Sequence, residues 1–207
     1  MSFQSFDVLV VGSGFFGSTI AERITSNSSL KVAVIDSRNH IGGNSYSEIE
    51  TSTQIEYHKY GSHLFHTNSE KIWEYCNRFT KFNNYRHKVY TIHNNQMYSM
   101  PINLGTINQF YNTNYSPEQA KAKINKLSGI YKDEEILDLE SKAISLIGED
   151  LYNAFIKGYT TKQWQLDPRD LPASIITRLP VRYNYNNEYF DDNFQGIPID
   201  GYTKWIE

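Results

Sequence analysis

Apolar residues at the start of the chain come in blocks rather than stripes. Asp7-Val8-Leu9-Val10-Val11 is a near-continuous apolar run rich in β-branched residues, the pattern of a strand buried on both faces. After a glycine-rich turn, Phe16, Ile20 and Ile24 recur at helical spacing. Lys31 to Ile35 is a second apolar run, closed by Asp36. Strand, helix and strand in this order predict a βαβ unit and a parallel sheet.

The period changes past residue 67. Thr67 and Glu70 form a capping-box signature ahead of a helix carrying Ile72, Cys76 and Phe79 on one face. Residues 85–101 alternate and break at Asn94-Asn95, which predicts an antiparallel hairpin. Ser116-Pro117-Glu118-Gln119 places an N-cap, a first-turn proline and a capping-box glutamine in order. Ile136, Leu139, Ala143 and Ile147 share a helical face that Gly148 interrupts. Residues 149–161 continue as a helix, and Asp167-Pro168-Arg169-Asp170 starts a short one. From 183 onward Asn, Asp, Tyr and Phe crowd together.

Composition narrows the class. The 207 residues are 39% hydrophobic and 21% charged, which fits a folded domain and not a disordered one. A net charge of −3 gives no reason to expect nucleic acid or an acidic membrane as partner. A single cysteine, Cys76, forms no internal disulfide and belongs to no metal-ligand cluster, so no metal is expected and a reducing, cytoplasmic setting is. The first ten residues lack a basic segment, and Val8 to Val11 is too short to span a bilayer.

Gly12-Ser13-Gly14-Phe15-Phe16-Gly17 matches G-x-G-x-x-G between the first strand and the helix, the context that gives this motif meaning. Gly12 permits the turn, Gly14 lets backbone N–H groups approach a pyrophosphate, and Gly17 allows close packing of helix on strand. Asp36 ends the second strand, where a carboxylate accepts from an adenosine ribose. The plain alternative, ordinary turn glycines and a strand-capping Asp, explains neither the order nor the spacing. A second glycine pair, Gly42-Gly43, resembles the extended fingerprint of glutathione-reductase-like FAD proteins and favours FAD over NAD. Asn44 stands where that pattern frequently has arginine. The expected cofactor residues are Gly12, Gly14, Phe15, Phe16, Gly17, Asp36, Ser37, Arg38, Gly42, Gly43 and Asn44.

Four further blocks carry a family resemblance. They are Tyr60-Gly-Ser-His-Leu-Phe-His-Thr67, Met100-Pro-Ile-Asn-Leu-Gly-Thr-Ile-Asn-Gln-Phe110, Gly158-Tyr-Thr-Thr-Lys-Gln-Trp164 and Leu171-Pro-Ala-Ser-Ile-Ile-Thr-Arg-Leu-Pro-Val-Arg182. In order and spacing they resemble bacterial UDP-galactopyranose mutases, from the first strand to Glu207. The resemblance implies a flavin-dependent isomerase that interconverts UDP-galactopyranose and UDP-galactofuranose with reduced FAD. In that family the flavin N5 attacks the sugar's anomeric carbon, UDP departs and returns, and no net redox change occurs. The resemblance also implies a role in cell-surface polysaccharide biosynthesis.

By the same resemblance, His63 lies near the flavin, and Arg178, His63 and Trp164 are the catalytic candidates. His87, Phe155, Tyr159, Trp164, Arg178, Tyr189 and Phe190 are the substrate-binding candidates, with Tyr159 stacking on uracil and Arg178 reaching the diphosphate. On chemistry alone each has a plainer reading: a satisfied histidine, a core aromatic, a solvated arginine. His66 is read as structural, and Arg182 receives no direct role. His87 replaces a family asparagine, and Ile156 a common aromatic.

The fold class expected is α/β. An FAD-binding Rossmann-like βαβ unit occupies 1–68, and an inserted, mainly helical substrate domain with an antiparallel segment occupies 69–182. Residues 183–207 are expected to be a mobile lid leading into a new element, with Glu188, Asp191 and Asp192 facing solvent and Tyr189 and Phe190 turned inward. UDP-galactose is the expected small-molecule partner, and a homodimer stays open. Chains of the family continue further, so the 207 residues alone are expected to be marginal and inactive. The competing readings are an amine-oxidase-type FAD oxidoreductase and a non-catalytic fragment of the mutase. The first shares the glycine motifs and lacks the Lys-Gln-Trp and Arg-Leu-Pro-Val-Arg blocks.

Overall fold

A computed structural model of the chain describes residues 5–129, 136–176 and 180–207. They divide into two compact units, one built from the residues up to Arg86 together with Asp191–Glu207, the other from His87–Phe190. The boundaries expected at 68 and 182 therefore fall inside units, and the stretch expected as a single lid, 183–207, is shared between them. Among the described residues no helix is long and apolar enough to cross a membrane.

In the first unit β1 (Val8–Val11) and β2 (Val32–Ile35) pair in parallel, in register Val8 with Val32, and α1 (Phe15–Asn27) connects them. This is the predicted βαβ unit. The expectation that both strands are buried on both faces is corrected. Leu9 is 59% exposed, Val11 76% and Ile35 50%, because the sheet holds only these two strands among the described residues.

Two short antiparallel pairings follow that no sequence period announces. β3 (Ser47–Ile49) pairs with β4 (Glu56–His58). β5 (Phe65–Thr67) precedes α2 (Glu70–Cys76). The cap of α2 is Ser69, whose side chain accepts from the Ile72 N–H, and not Thr67, which instead accepts from the Ser69 N–H. Asn77 closes the helix by donating backbone and side-chain N–H to the Trp73 carbonyl. Phe79 thus lies beyond the helix, and Trp73, not Ile72, joins Cys76 on the inner side, stacked on Phe65 and Phe194.

The second unit opens with the predicted hairpin, β6 (Val89–His93) and β7 (Gln96–Met100). Asn94 and Asn95 both adopt positive φ, +49° and +60°, as a two-residue type I′ turn requires. α3 (Leu104–Tyr111) and α4 (Pro117–Ser128) each start with a complete capping box, the latter on Ser116 and Gln119 as predicted. α5 (Leu139–Ile147) buries Leu139, Ala143, Ile144 and Ile147. α6 (Glu149–Leu151) runs through a π-helical turn, Tyr152–Ile156, into α7 (Lys157–Trp164). The core gathers Tyr98, Ile107, Ile124, Ile147, Leu151 and Tyr152, all nearly inaccessible. The chain then returns to the first unit, where β8 (Phe194–Gly196) pairs antiparallel with β5 and α8 (Gly201–Ile206) follows.

Candidate functional site: the glycine loop and the nucleotide-recognition residues

The loop between β1 and α1 is shaped from within by two of its glycines. Gly12 has φ +102° while its N–H donates to the Ile35 carbonyl at 2.7 Å, so the turn begins locked to β2. A Cβ on Gly17 would sit 1.9 Å from the Gly12 carbonyl oxygen, which fixes how closely helix and loop approach. Gly14 differs. A Cβ there would meet nothing nearer than Gly43 Cα at 3.8 Å, so the chain's own packing does not demand glycine. Gly14 is also the N-cap of the 13-residue α1, and no side chain caps that end. The helix terminus therefore presents N–H groups and partial positive charge beside space that a side chain would take.

Asp36, just past the end of β2, is bound to the same loop. Its Oδ2 accepts from the Ser13 N–H at 2.7 Å and the Ser13 hydroxyl at 2.8 Å, and its Oδ1 accepts from the Arg38 N–H at 2.9 Å. These bonds, the Arg38 N–H first and those from Ser13 next, hold the carboxyl well below the usual carboxylate range. A carboxylate has about four acceptor positions, so the three bonds leave room for a ligand hydroxyl. Ser13 is a site residue the sequence reading missed; its signal is a small polar residue in the loop facing the acid at the next strand end.

The second glycine pair is bound to the first. The Gly42 N–H donates to the Ser13 carbonyl at 2.9 Å, and Gly43 lies against Gly14. Asn44 Oδ1 accepts from Arg38 Nη2 at 2.8 Å. Ser37 is exposed. Phe16 is 83% exposed, whereas Phe15 turns its ring inward onto Tyr202 and Trp205. Its side chain lines an apolar cavity of about 400 Å³ with Phe65, Phe79 and Trp205, while its backbone N–H stays at the first position of α1. His63 sits in the loop after β4. Its N–H donates to His58 Nδ1 at 3.0 Å and its own Nδ1 lies 2.9 Å from the Gly61 carbonyl, leaving Nε2 unengaged by these bonds. His66 engages Asp192 through Nδ1, so Asp192 is paired rather than simply solvated.

Taken together, the uncapped helix start, a Gly14 that the chain's own packing does not demand and the anchored Asp36 carboxylate fit the pyrophosphate and ribose of an adenine dinucleotide.

In the second unit the structure brings three of the substrate candidates together. The Tyr189 N–H donates to the His87 carbonyl at 2.7 Å, and the His87 ring lies 5.5 Å from Tyr189 and 6.1 Å from Phe190. Arg182, given no role from sequence, organises this segment: its guanidinium donates to the Glu188 and Tyr189 carbonyls. Tyr159 and Trp164 project from α7, 69% and 48% exposed. Phe155 is 7% exposed, its ring packed among Tyr98, Phe110 and His93. Arg178 lies outside the described residues.

Known proteins match both regions. A family model described as UDP-galactopyranose mutase matches residues 154–207, and one described as an NAD(P)-binding Rossmann-like domain matches 10–79. A dTDP-fucopyranose mutase from Escherichia coli is 46% identical over 203 residues, 97% of this chain and 52% of that protein. A probable UDP-galactopyranose mutase from Klebsiella pneumoniae is 45% identical over 201 residues, again 97% of this chain and 52% of its own length. The chain thus spans about half the length of the curated relatives it matches. A crystal structure of reduced UDP-galactopyranose mutase shares the fold with TM-score 0.71 over 98% of this chain and 45% of that one, at 15% identity. In sequence and in fold, the chain is similar to the N-terminal portion of the UDP-galactopyranose mutases.

Proposed function

We propose that this chain carries the FAD-binding and nucleotide-sugar-recognition part of a mutase that interconverts UDP-galactopyranose and UDP-galactofuranose. The observation that carries the reading is Gly14 at the start of α1, in the loop bound to Asp36 through Ser13, a place where a side chain would make only ordinary contact and the chain gains nothing from glycine unless a ligand approaches. Reduced FAD, when bound, supplies a nucleophile for the anomeric carbon. The chain's own residues then have orienting tasks. The α1 N-terminus and Asp36 hold the dinucleotide. Arg178 grips the diphosphate, a task suited to the two-pronged guanidinium. The exposed Tyr159 and Trp164 offer ring faces to base and sugar. Holding the departing nucleotide close keeps its return effectively intramolecular. The composition and single cysteine support a cytoplasmic setting.

A second substrate, dTDP-fucopyranose, is favoured by the 46% identity to the Escherichia coli relative. A chimera joining this chain to the second half of the Klebsiella pneumoniae relative separates the two. With reduced FAD it is expected to convert UDP-galactofuranose to the pyranose, and Arg178→Ala is expected to abolish that while Arg178→Lys retains a small part. Conversion of the dTDP-fucose pair alone would move the assignment to that sugar. A folded, FAD-loaded chimera converting neither would refute the mutase reading.

A further inference from the structure

One side chain of α5 reaches both ends of the turn that launches α7. Tyr152–Ile156 is π-helical, and the Lys157 N–H closes it on the Tyr152 carbonyl, five residues back. This wide spacing lets Leu151, Tyr152, Phe155 and Ile156 all enter the core. Glu140 sits beside the turn. Its Oε2 accepts from the Tyr152 hydroxyl at 2.7 Å, at the first residue of the turn, and lies 3.3 Å from Lys157 Nζ, just past the last. Tyr152 is fully buried. Burial first, and the bond to Glu140 next, push its hydroxyl well above the ordinary tyrosine range, so it stays protonated and donates. The Lys157 ammonium also lies 5.9 Å from the centroid of the Tyr152 ring. The helix beyond has little other hold on the core: of the eight residues of α7 only Thr160 is buried, while Tyr159 and Trp164 stand exposed.

We infer that Glu140 is a positioning residue for nucleotide recognition: by pinning Tyr152 and Lys157 to one carboxylate, it fixes the direction in which α7 presents Tyr159 and Trp164. The inference rests on the reading of those two rings as contacts for base and sugar, and adds what holds them in place. Three physical points carry it. The chain enters α7 through a π-helical turn, an uncommon geometry that is frequent at functional sites. A short helix with one buried residue swings about its base unless that base is fixed, and fixing it beforehand removes an ordering cost from binding. An ion pair with a half-exposed lysine adds little to stability, so holding the fold together is a poor account of it.

Titration of the full chain with UDP, beside FAD titration and a thermal melt, tests this. Glu140→Gln keeps the size and the acceptor for Tyr152 but releases Lys157. It is expected to weaken UDP binding roughly 3- to 10-fold, with FAD affinity unchanged and the melting temperature within about 2–4 °C of wild type. Lys157→Met is expected to match it, the double variant to lose no more than either, and Lys157→Arg to bind UDP as wild type does. A Glu140→Gln variant that binds UDP as tightly as wild type, or more tightly, while Lys157→Met loses affinity overturns the inference in favour of Lys157 meeting the nucleotide itself. Wild-type affinity in both variants, or losses that a lowered melting temperature accounts for, overturn it in favour of a structural role. Wild-type chain that takes up FAD and no UDP overturns the nucleotide-recognition reading and this inference with it.

Discussion

Ser13 and Asp36 are joined twice, by the Ser13 N–H at 2.7 Å and its hydroxyl at 2.8 Å, both onto Asp36 Oδ2. These two hydrogen bonds tie the glycine loop to the end of β2 and orient the acid. The pair therefore predicts a graded result. Ser13→Ala removes one neutral donor and is expected to weaken FAD binding roughly 2- to 10-fold. Asp36→Ala removes the ligand's own acceptor and is expected to cost roughly 10- to 100-fold. Calorimetric titration distinguishes the two. A Ser13 variant as weak as the Asp36 variant would mean that the serine, and not the acid, meets the ligand.

Gly17 and Gly14 separate stability from binding. Gly17→Ala drives a methyl into the Gly12 carbonyl, 1.9 Å away, and is expected to destabilise the chain by about 1–3 kcal/mol. Gly14→Ala meets nothing within 3.4 Å and is expected to leave the urea midpoint within a few tenths of a molar unit of wild type. Equal destabilisation by both would contradict the assignment of Gly14 to a ligand.

His58 gives the first unit a pH dependence. Burial holds its pKa below the ordinary 6.5, outweighing the nearby Glu56 carboxylate, while His63 lowers it further. Its Nδ1 accepts from the His63 N–H, which the doubly protonated ring cannot do. The folded state thus prefers neutral His58, and the unfolded chain takes up the proton first. This contribution is complete above about pH 6.5 and is lost as pH falls through that value toward the lowered one. Stability measured against pH should fall more steeply below 6.5 in wild type than in His58→Gln. Parallel curves would remove His58 from the account.

Arg182 holds the segment carrying Tyr189 by donating to two successive carbonyls. Arg182→Met is expected to raise amide exchange at residues 187–190 by roughly 10-fold or more, with the hairpin at 89–100 unaffected. No change in exchange would show that the bridge between Lys88 and Glu188 suffices.

What was legible in the sequence follows from the range of its physics. The βαβ unit, the Asn94-Asn95 turn and the Ser116 capping box are decided within a few residues, so they appear where predicted. β5 and β8 are three residues each and pair across Phe65 and Gly196, where no local period exists. The cap of α2 moved from Thr67 to Ser69 because two hydroxyl residues competed for neighbouring N–H groups. The inward turn of Phe15 and the burial of Phe155 were set by packing partners distant in sequence, Trp205 and Tyr98, and motif spacing is blind to both. The glycine loop and the acid bound to it were legible as neighbours. The bonds of Ser13 to Asp36, and in the second unit those of Arg182 to the Glu188 and Tyr189 carbonyls, were not.

The central claim is that the space at Gly14 receives a flavin dinucleotide, and FAD titration of the wild-type chain beside Gly14→Ala tests it most directly. The account predicts saturable quenching of flavin fluorescence by wild type and a loss of affinity of roughly 10-fold or more for Gly14→Ala, at an unchanged melting temperature. Wild-type chain that leaves flavin fluorescence untouched, or a folded Gly14→Ala variant that binds FAD as wild type does, would contradict it.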